Sequence, residues 1–173
     1  HKMKKKRLLI IPAKSKSSRI KNKNFKIFHG KMMIEYPLIS AKKSKIFHKI
    51  HVSTESKNIK NKLENKGFQI DFLRSRKLTT KDTSLFSVYK FVLDEYKKRK
   101  IFFDEVWSIL PCSPLITNRD LINLKNLIER KKIKKPIISV CKYNAPIEWA
   151  FIKSKKNLLI PLNKNKQLMP SQK

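Results

Sequence analysis

Five short apolar runs, separated by helix-patterned segments, constrain this 173-residue chain more than any other feature. The runs are Arg7–Ala13, Lys49–Ser53, Phe68–Phe72, Asp104–Leu110 and Pro136–Lys142. Each is short and rich in Ile, Val, Leu or Phe, as expected of strands covered on both faces. Between them lie helical patterns. In Asp82–Arg99, Leu85, Val88, Tyr89, Val92, Leu93 and Tyr96 share one face at 3.6-residue spacing. In Asn118–Lys131, Leu121, Leu124 and Ile128 face inward, and Thr117 with Asp120 predicts a capping box. Glu55–Lys66, carried by Ile59 and Leu63, and Tyr36–Phe47 complete the set. Strands alternating with crossover-sized helices predict a three-layer α/β fold with a mostly parallel sheet.

Such sheets bind ligands beyond the carboxyl ends of their strands. Three segments fall there: the loop after Ala13, the turn Ser53-Thr54-Glu55, and Pro111-Cys112-Ser113-Pro114. The first is the most informative. The run Leu8–Ile11 ends at Pro12-Ala13 and opens into Lys14–Asn24, a loop dense with cations and hydroxyls. Cations, hydroxyls and backbone N–H groups are what a polyphosphate site needs. A solvated basic loop after a core strand would use the same residues. Beyond Lys142 the pattern loosens. Trp149, Phe151 and Leu158-Leu159-Ile160 offer apolar surface that could meet a second copy or pack on its own domain.

The net charge is +31, from 43 Lys+Arg against 12 Asp+Glu. The lysines are scattered over every segment and form no single stripe, so the charge predicts only salt-sensitive, non-specific polyanion binding. Cys112 and Cys141 sit in or beside apolar runs and form no CxxC, which predicts buried, reduced thiols. The histidines lack metal-ligand spacing, and no apolar run is long enough for a membrane span. A cytoplasmic protein is the simplest expectation. With only two glycines, turns must fall to Asn, Ser, Lys and Pro.

The collinear order of Ile11-Pro12-Ala13, Ser17–Asn24, His29–Leu38, Val52–Ser56, Phe72–Ser75, Lys81–Ser84, Pro111–Leu115 and Ser139–Phe151 resembles the cytidylyltransferases that activate acidic nine-carbon sugars, in their pseudaminic acid and N-acylneuraminate branches. The resemblance covers essentially the whole chain. It implies a Rossmann-like nucleotide-diphospho-sugar transferase fold, with residues 1–142 as the nucleotide-binding core and 143–173 as the start of a sugar-binding or dimerisation segment. The implied partners are CTP and an acidic sugar, with a second copy of the chain as a homodimer and no membrane. The implied reaction is attack of the sugar's anomeric hydroxyl on the α-phosphorus of CTP, with Mg²⁺ as cofactor and pyrophosphate leaving.

Residue by residue, the resemblance makes Lys23 and Lys14 the catalytic cations. It assigns Ala13, Lys14, Ser17, Ser18, Arg19, Asn24, Arg74, Asp82, Thr83 and Ser84 to nucleotide binding, and Ser113 to the sugar or base pocket. Glu55 matches an acidic position of the family, read as structural or as a support behind the contact residues. No metal ligand is assigned, because the family's metal-binding aspartates would lie beyond Lys173, in a chain that resembles a C-terminally truncated member. Several positions depart from the family pattern. Lys14 replaces an arginine and loses its bidentate fork, Ser15-Lys16 replaces a Gly-Gly pair, and Lys21 replaces a proline. Leu110 and Ala145–Ala150 lean toward the pseudaminic branch. Two other readings stay open at this level: a basic nucleic-acid-binding α/β module, and an inactive fragment or homologue of the same family.

Overall fold

The computed structural model describes residues 5–15, 20, 22–80, 82–142 and 150–162. These fall into two compact units, within His1–Ile133 and Lys134–Lys173. In the first unit, strand β1 (Arg7–Pro12) is buried along its whole length. A hairpin of β2 (Ile27–Phe28) and β3 (Lys31–Met32) follows, then helix α1 (Glu35–Ser44), strand β4 (Lys49–Ser53), helix α2 (Lys57–Glu64), helix α3 (Leu85–Lys98), strand β5 (Glu105–Ser108) and helix α4 (Asn118–Arg130).

The central sheet has the order β4-β1-β5, and both pairs are parallel. Register sets Ile10 beside His51 and Ser108, and Leu9 beside Ile50 and Trp107. Because side chains alternate along a strand, β1 feeds two cores. Leu9, Ile11 and Ala13 pack with Leu38 and Ala41 of α1, Ile59 and Leu63 of α2, and Leu121 of α4. Leu8 and Ile10 pack on the other face with Phe72, and with Val92 and Tyr96 of α3. Helices on both faces of a parallel sheet are the expected three layers. Each fully buried Leu or Ile adds about 1.5–3 kcal/mol of transfer free energy, so β1, with none of its side chains in water, is the element the fold depends on. Arg7 ties its start to β5 and α4 through ion pairs of 2.7 Å to Glu105 and to Glu129.

The helix ends show how a glycine-poor chain turns. Both glycines take positive φ, Gly67 just after α2, where the Phe68 N–H donates to the Leu63 carbonyl at 3.0 Å. The same six-residue closure ends α3 (Ile101 N–H to Tyr96 O, 3.0 Å) and α4 (Ile133 N–H to Ile128 O, 3.0 Å). There the left-handed position is filled by Lys100 (φ 58°) and Lys132 (φ 49°). The expected Thr117–Asp120 capping box is present on α4.

Several expectations are corrected. Phe68–Phe72 is not a strand. Ile70 and Phe72 are buried as an apolar run should be, but side chains of α2 consume the backbone groups a ladder would need: Lys60 bonds the Ile70 carbonyl, and Glu64 accepts from the Ile70 N–H at 3.3 Å. Pro136–Lys142 is not a strand either. Proline removes a donor, and Ile138 and Val140 are 80% and 85% exposed, unlike the side chains of a strand covered on both faces. Leu85, expected on the inner face of α3, is exposed at its first position. Cys112 and Cys141 are exposed, not buried. In the second unit, β6 (Phe151–Lys153) and β7 (Leu159–Pro161) form an antiparallel hairpin whose Phe151, Leu158, Leu159 and Ile160 are exposed. Trp149 lies outside the described residues.

Candidate functional site

The strand order places consecutive crossovers on opposite sides of β1, so the switch point of the sheet lies at the carboxyl end of that strand. A cleft of about 500 Å³ opens there. Lys14, after β1, Lys23, on a short 3-10 turn (Lys23–Phe25), and Arg74 supply its charge. Pro12, Leu78, Leu85, Val88, Leu110 and Pro111 supply an apolar wall, and Thr80 and Thr83 hydroxyls. Among the described residues no carboxylate lines it, so an entering anion meets three cations on the cleft surface.

Local sequence explains how each cation is held. Pro12 ends β1, and the Ala13 N–H donates to the Ser53 carbonyl at 2.9 Å, which binds the strand tip to β4. Asn22 adopts a left-handed conformation (φ 55°), as Asn does more readily than most residues. That reversal starts the turn carrying Lys23. Asn24 is buried at 3% exposure. Its side-chain amide donates to the Lys14 carbonyl at 3.3 Å, and its side-chain oxygen accepts from the Cys112 thiol at 3.3 Å. Asn24 therefore stitches the loop after β1 to the loop after β5, leaving Lys23 exposed at the cleft.

Arg74 is the cation under strongest constraint. Its backbone N–H donates to the Thr54 carbonyl at 2.8 Å, beside the end of β4. Its side chain is 4% exposed and faces Glu55, with Nη2 at 3.5 Å from a carboxylate oxygen. Among the described residues Nε and Nη2 have no acceptor in hydrogen-bond geometry. Burial lowers the Arg74 guanidinium below its ordinary range, and the Glu55 charge opposes that. Burial raises the Glu55 carboxyl, but bonds from the Ser15 hydroxyl and amide, with Arg74 nearby, outweigh it and leave the group below its usual value. The Ser15 amide bond is 2.9 Å, and the Ser15 hydroxyl binds the same oxygen. A second depression, lined by Ser15, Glu55 and Arg76 among others, shares Lys14 and Arg74 with the first.

Of the residues singled out in the sequence, Lys14, Lys23, Asn24, Arg74 and Thr83 line the cleft. Ser84 is the N-cap of α3 and accepts from the Ser87 N–H at 3.1 Å. Asp82 is exposed, and neither it nor Ser113 is on the cleft wall. Ala13 is fully buried in the core, with its N–H already used. Ser17, Ser18 and Arg19 lie outside the described residues. Sequence reasoning missed Cys112 and Thr80 as cleft residues, and it read Glu55 only as a structural residue or as a support behind the contact residues. The signal for Cys112 was its place just after a strand, on the ligand side of the sheet. Among the described residues no group of three or more His, Cys, Asp or Glu could hold a metal ion, and Glu55 is committed to Ser15 and Arg74.

The family model described as cytidylyltransferase matches residues 8–132, from β1 through α4. The chain belongs to the cytidylyltransferase family. It is 30% identical over 156 residues to CMP-N,N'-diacetyllegionaminic acid synthase of Legionella pneumophila, covering 89% of this chain and 66% of that protein. It is 28% identical over 154 residues to pseudaminic acid cytidylyltransferase of Campylobacter jejuni, covering 88% and 65%. To N-acylneuraminate cytidylyltransferase of Escherichia coli it is 30% identical over 145 residues, covering 83% and 33%. The chain thus spans about two thirds of the length of the first two relatives and a third of the last. Among solved structures, CMP:2-keto-3-deoxy-manno-octonic acid synthetase complexed with CTP shares the fold at a TM-score of 0.61 and 20% identity, over 73% of this chain and 48% of that one. The 4-diphosphocytidyl-2C-methyl-D-erythritol synthase of Anaerococcus prevotii does so at 0.52 and 16%, over 93% and 66%. Membership of this cytidylyltransferase family agrees with the Rossmann-like expectation. The lean toward the pseudaminic branch gains nothing from identity, which is level across relatives named for different sugar acids. No helix among the described residues is long and apolar enough to cross a membrane.

Proposed function

We propose that this chain forms the nucleotide-binding part of an enzyme that transfers CMP from CTP to a nine-carbon acidic sugar and releases pyrophosphate. The observation that carries the reading is the cleft at the switch point, lined by Lys14, Lys23 and Arg74 together with apolar side chains and threonine hydroxyls. A nucleoside triphosphate combines an anionic tail with a flat, uncharged base and so offers partners to both kinds of lining. In the transfer, the anomeric oxygen bonds to the α-phosphorus while the bond from that phosphorus to the bridging oxygen breaks. Charge builds on the departing pyrophosphate. Cations fixed in advance stabilise that charge without reorganising during the step. Lys14 and Lys23 take this role, with Ser17, Ser18 and Arg19 continuing the phosphate loop. Arg74 and the Thr83-Ser84 segment contact the nucleotide.

A homodimer belongs to the same proposal, supported by the exposed apolar side chains of the β6–β7 hairpin. A CTP-dependent reaction also fits the cytoplasm. The test is pyrophosphate release by the native gene product supplied with CTP, Mg²⁺ and, in turn, pseudaminic, legionaminic and neuraminic acids. Turnover with one of them is expected. No turnover with any, together with no thermal stabilisation by CTP, overturns the proposal.

A further inference from the structure

We propose that Glu55 is a positioning residue, which fixes the Arg74 guanidinium and the Ser15 end of the phosphate loop in place before nucleotide arrives. The inference rests on the nucleotide reading above and assigns a task to a carboxylate that this reading leaves idle.

Three placements support it. The first is a chain of contacts through Glu55. One carboxylate oxygen takes both the amide and the hydroxyl of Ser15, and the other faces Arg74 Nη2 at 3.5 Å. These partners lie 40 and 19 positions away in sequence, and the β1–β4 pairing brings Ser15 to Glu55. The second is sidedness. Arg74 lines the cleft and also the neighbouring depression, whereas Glu55 lines only the depression. Glu55 therefore supports Arg74 from behind and does not compete for the space a nucleotide would fill. The third is unused capacity. Arg74 is 94% buried, yet among the described residues neither Nε nor Nη2 has an acceptor in hydrogen-bond geometry. A buried guanidinium with idle donors is costly unless a nearby charge holds it. Glu55 is that charge, and an incoming acceptor would complete the set.

Ser15 gives the second half of the argument. It stands at the start of the cation-rich loop that follows β1, directly after Lys14. The Glu55 tether fixes that start by side-chain bonding and holds Lys14, the preceding residue, at the cleft. A carboxylate thus sets the placement of two cations without touching the ligand.

The test combines CTP titration with a view of Arg74 itself. Glu55→Gln keeps the shape but loses the charge, Glu55→Asp restores the charge, and Arg74→Met provides the second corner of a double-mutant cycle. Circular dichroism confirms that each variant is folded. Glu55→Gln is expected to weaken CTP binding roughly tenfold or more, the scale of a misplaced binding group. Most of that loss should vanish in the Arg74→Met background, and Glu55→Asp should recover part of it. In the unliganded protein, the Arg74 Nε–H resonance should be sharp in the unaltered chain and broadened or shifted by Glu55→Gln. An unchanged Arg74 resonance overturns the proposal, whatever CTP does. So does an equal loss of affinity in both Arg74 backgrounds. If the unaltered chain binds no CTP, the function proposed above falls, while the resonance still decides whether Glu55 fixes Arg74.

Discussion

His51 makes the stability of this domain sensitive to acid in a window that can be stated in advance. The ring is fully buried in the middle of β4, stacked on Phe72 with centroids 4.3 Å apart and edge-on to Tyr96. Nδ1 lies 3.3 Å from the Tyr96 hydroxyl, and Nε2 has no partner. Burial disfavours the charged ring, and Lys49, Arg99 and Lys60 add to that. The Asp71 carboxylate pulls the other way and does not win, so His51 is lowered from 6.5 to about 4. Above pH 6.5 the ring is neutral in both native and unfolded chains, and it adds no pH dependence. Between 6.5 and about 4 the unfolded chain takes up a proton that the native chain refuses, so stability falls with pH. Below about 4 the native ring charges too, and the loss levels off. At 1.36 kcal/mol per pH unit, the full loss is about 3 kcal/mol, a large share of the 5–15 kcal/mol typical of a whole domain. The measurement is urea unfolding between pH 7.5 and 4, on the unaltered chain and on His51→Leu. The variant loses some packing at every pH, but its curve should lack this acid limb, so the difference between the two should change by about 3 kcal/mol across the window. Parallel curves would refute the assignment. Because β4 leads directly into Thr54-Glu55, acid unfolding that starts at His51 should also release the cleft.

Three further outcomes are expected. Lys100→Gly and Lys132→Gly should each stabilise the chain by roughly 1 kcal/mol, because both lysines hold left-handed positions at helix ends that a Cβ disfavours; thermal melts check this, and destabilisation would count against the assigned backbone. Cys112 is exposed on the cleft wall, so saturating CTP should slow its alkylation by N-ethylmaleimide and leave Cys141 unaffected, as peptide mass mapping would read. Equal rates with and without CTP would place the nucleotide elsewhere. Lys23→Ala should lower pyrophosphate release about 100-fold, the scale for one lost transition-state donor, while unfolding free energy stays within about 0.5 kcal/mol for an exposed residue.

The amino-acid sequence by itself determined the kind and order of most elements. Amphipathic spacing marked α3 and α4, the Thr117–Asp120 box marked where α4 starts, and the apolar runs marked β1, β4 and β5. These are local properties, set by side-chain periodicity and capping within a few residues. It also marked the loop after β1, whose cations and proline stop were visible in one stretch of chain. Tertiary structure alone decided the rest. Phe68–Phe72 has the composition of a strand, but a strand exists only if a partner offers a ladder, and α2 took the backbone groups of Ile70 first. Pro136–Lys142 has the composition of a covered strand, yet its Ile138 and Val140 are exposed. Cys112 looked like a core thiol because it follows an apolar run, but that run leaves the core after Ile109, and Leu110, Pro111 and Cys112 line the cleft. The Glu55–Ser15–Arg74 cluster was illegible because its members are far apart in sequence, and only parallel pairing of β1 with β4 makes them neighbours. Local patterns fix what each segment becomes, whereas the charge environment of a site depends on which segments the sheet brings side by side.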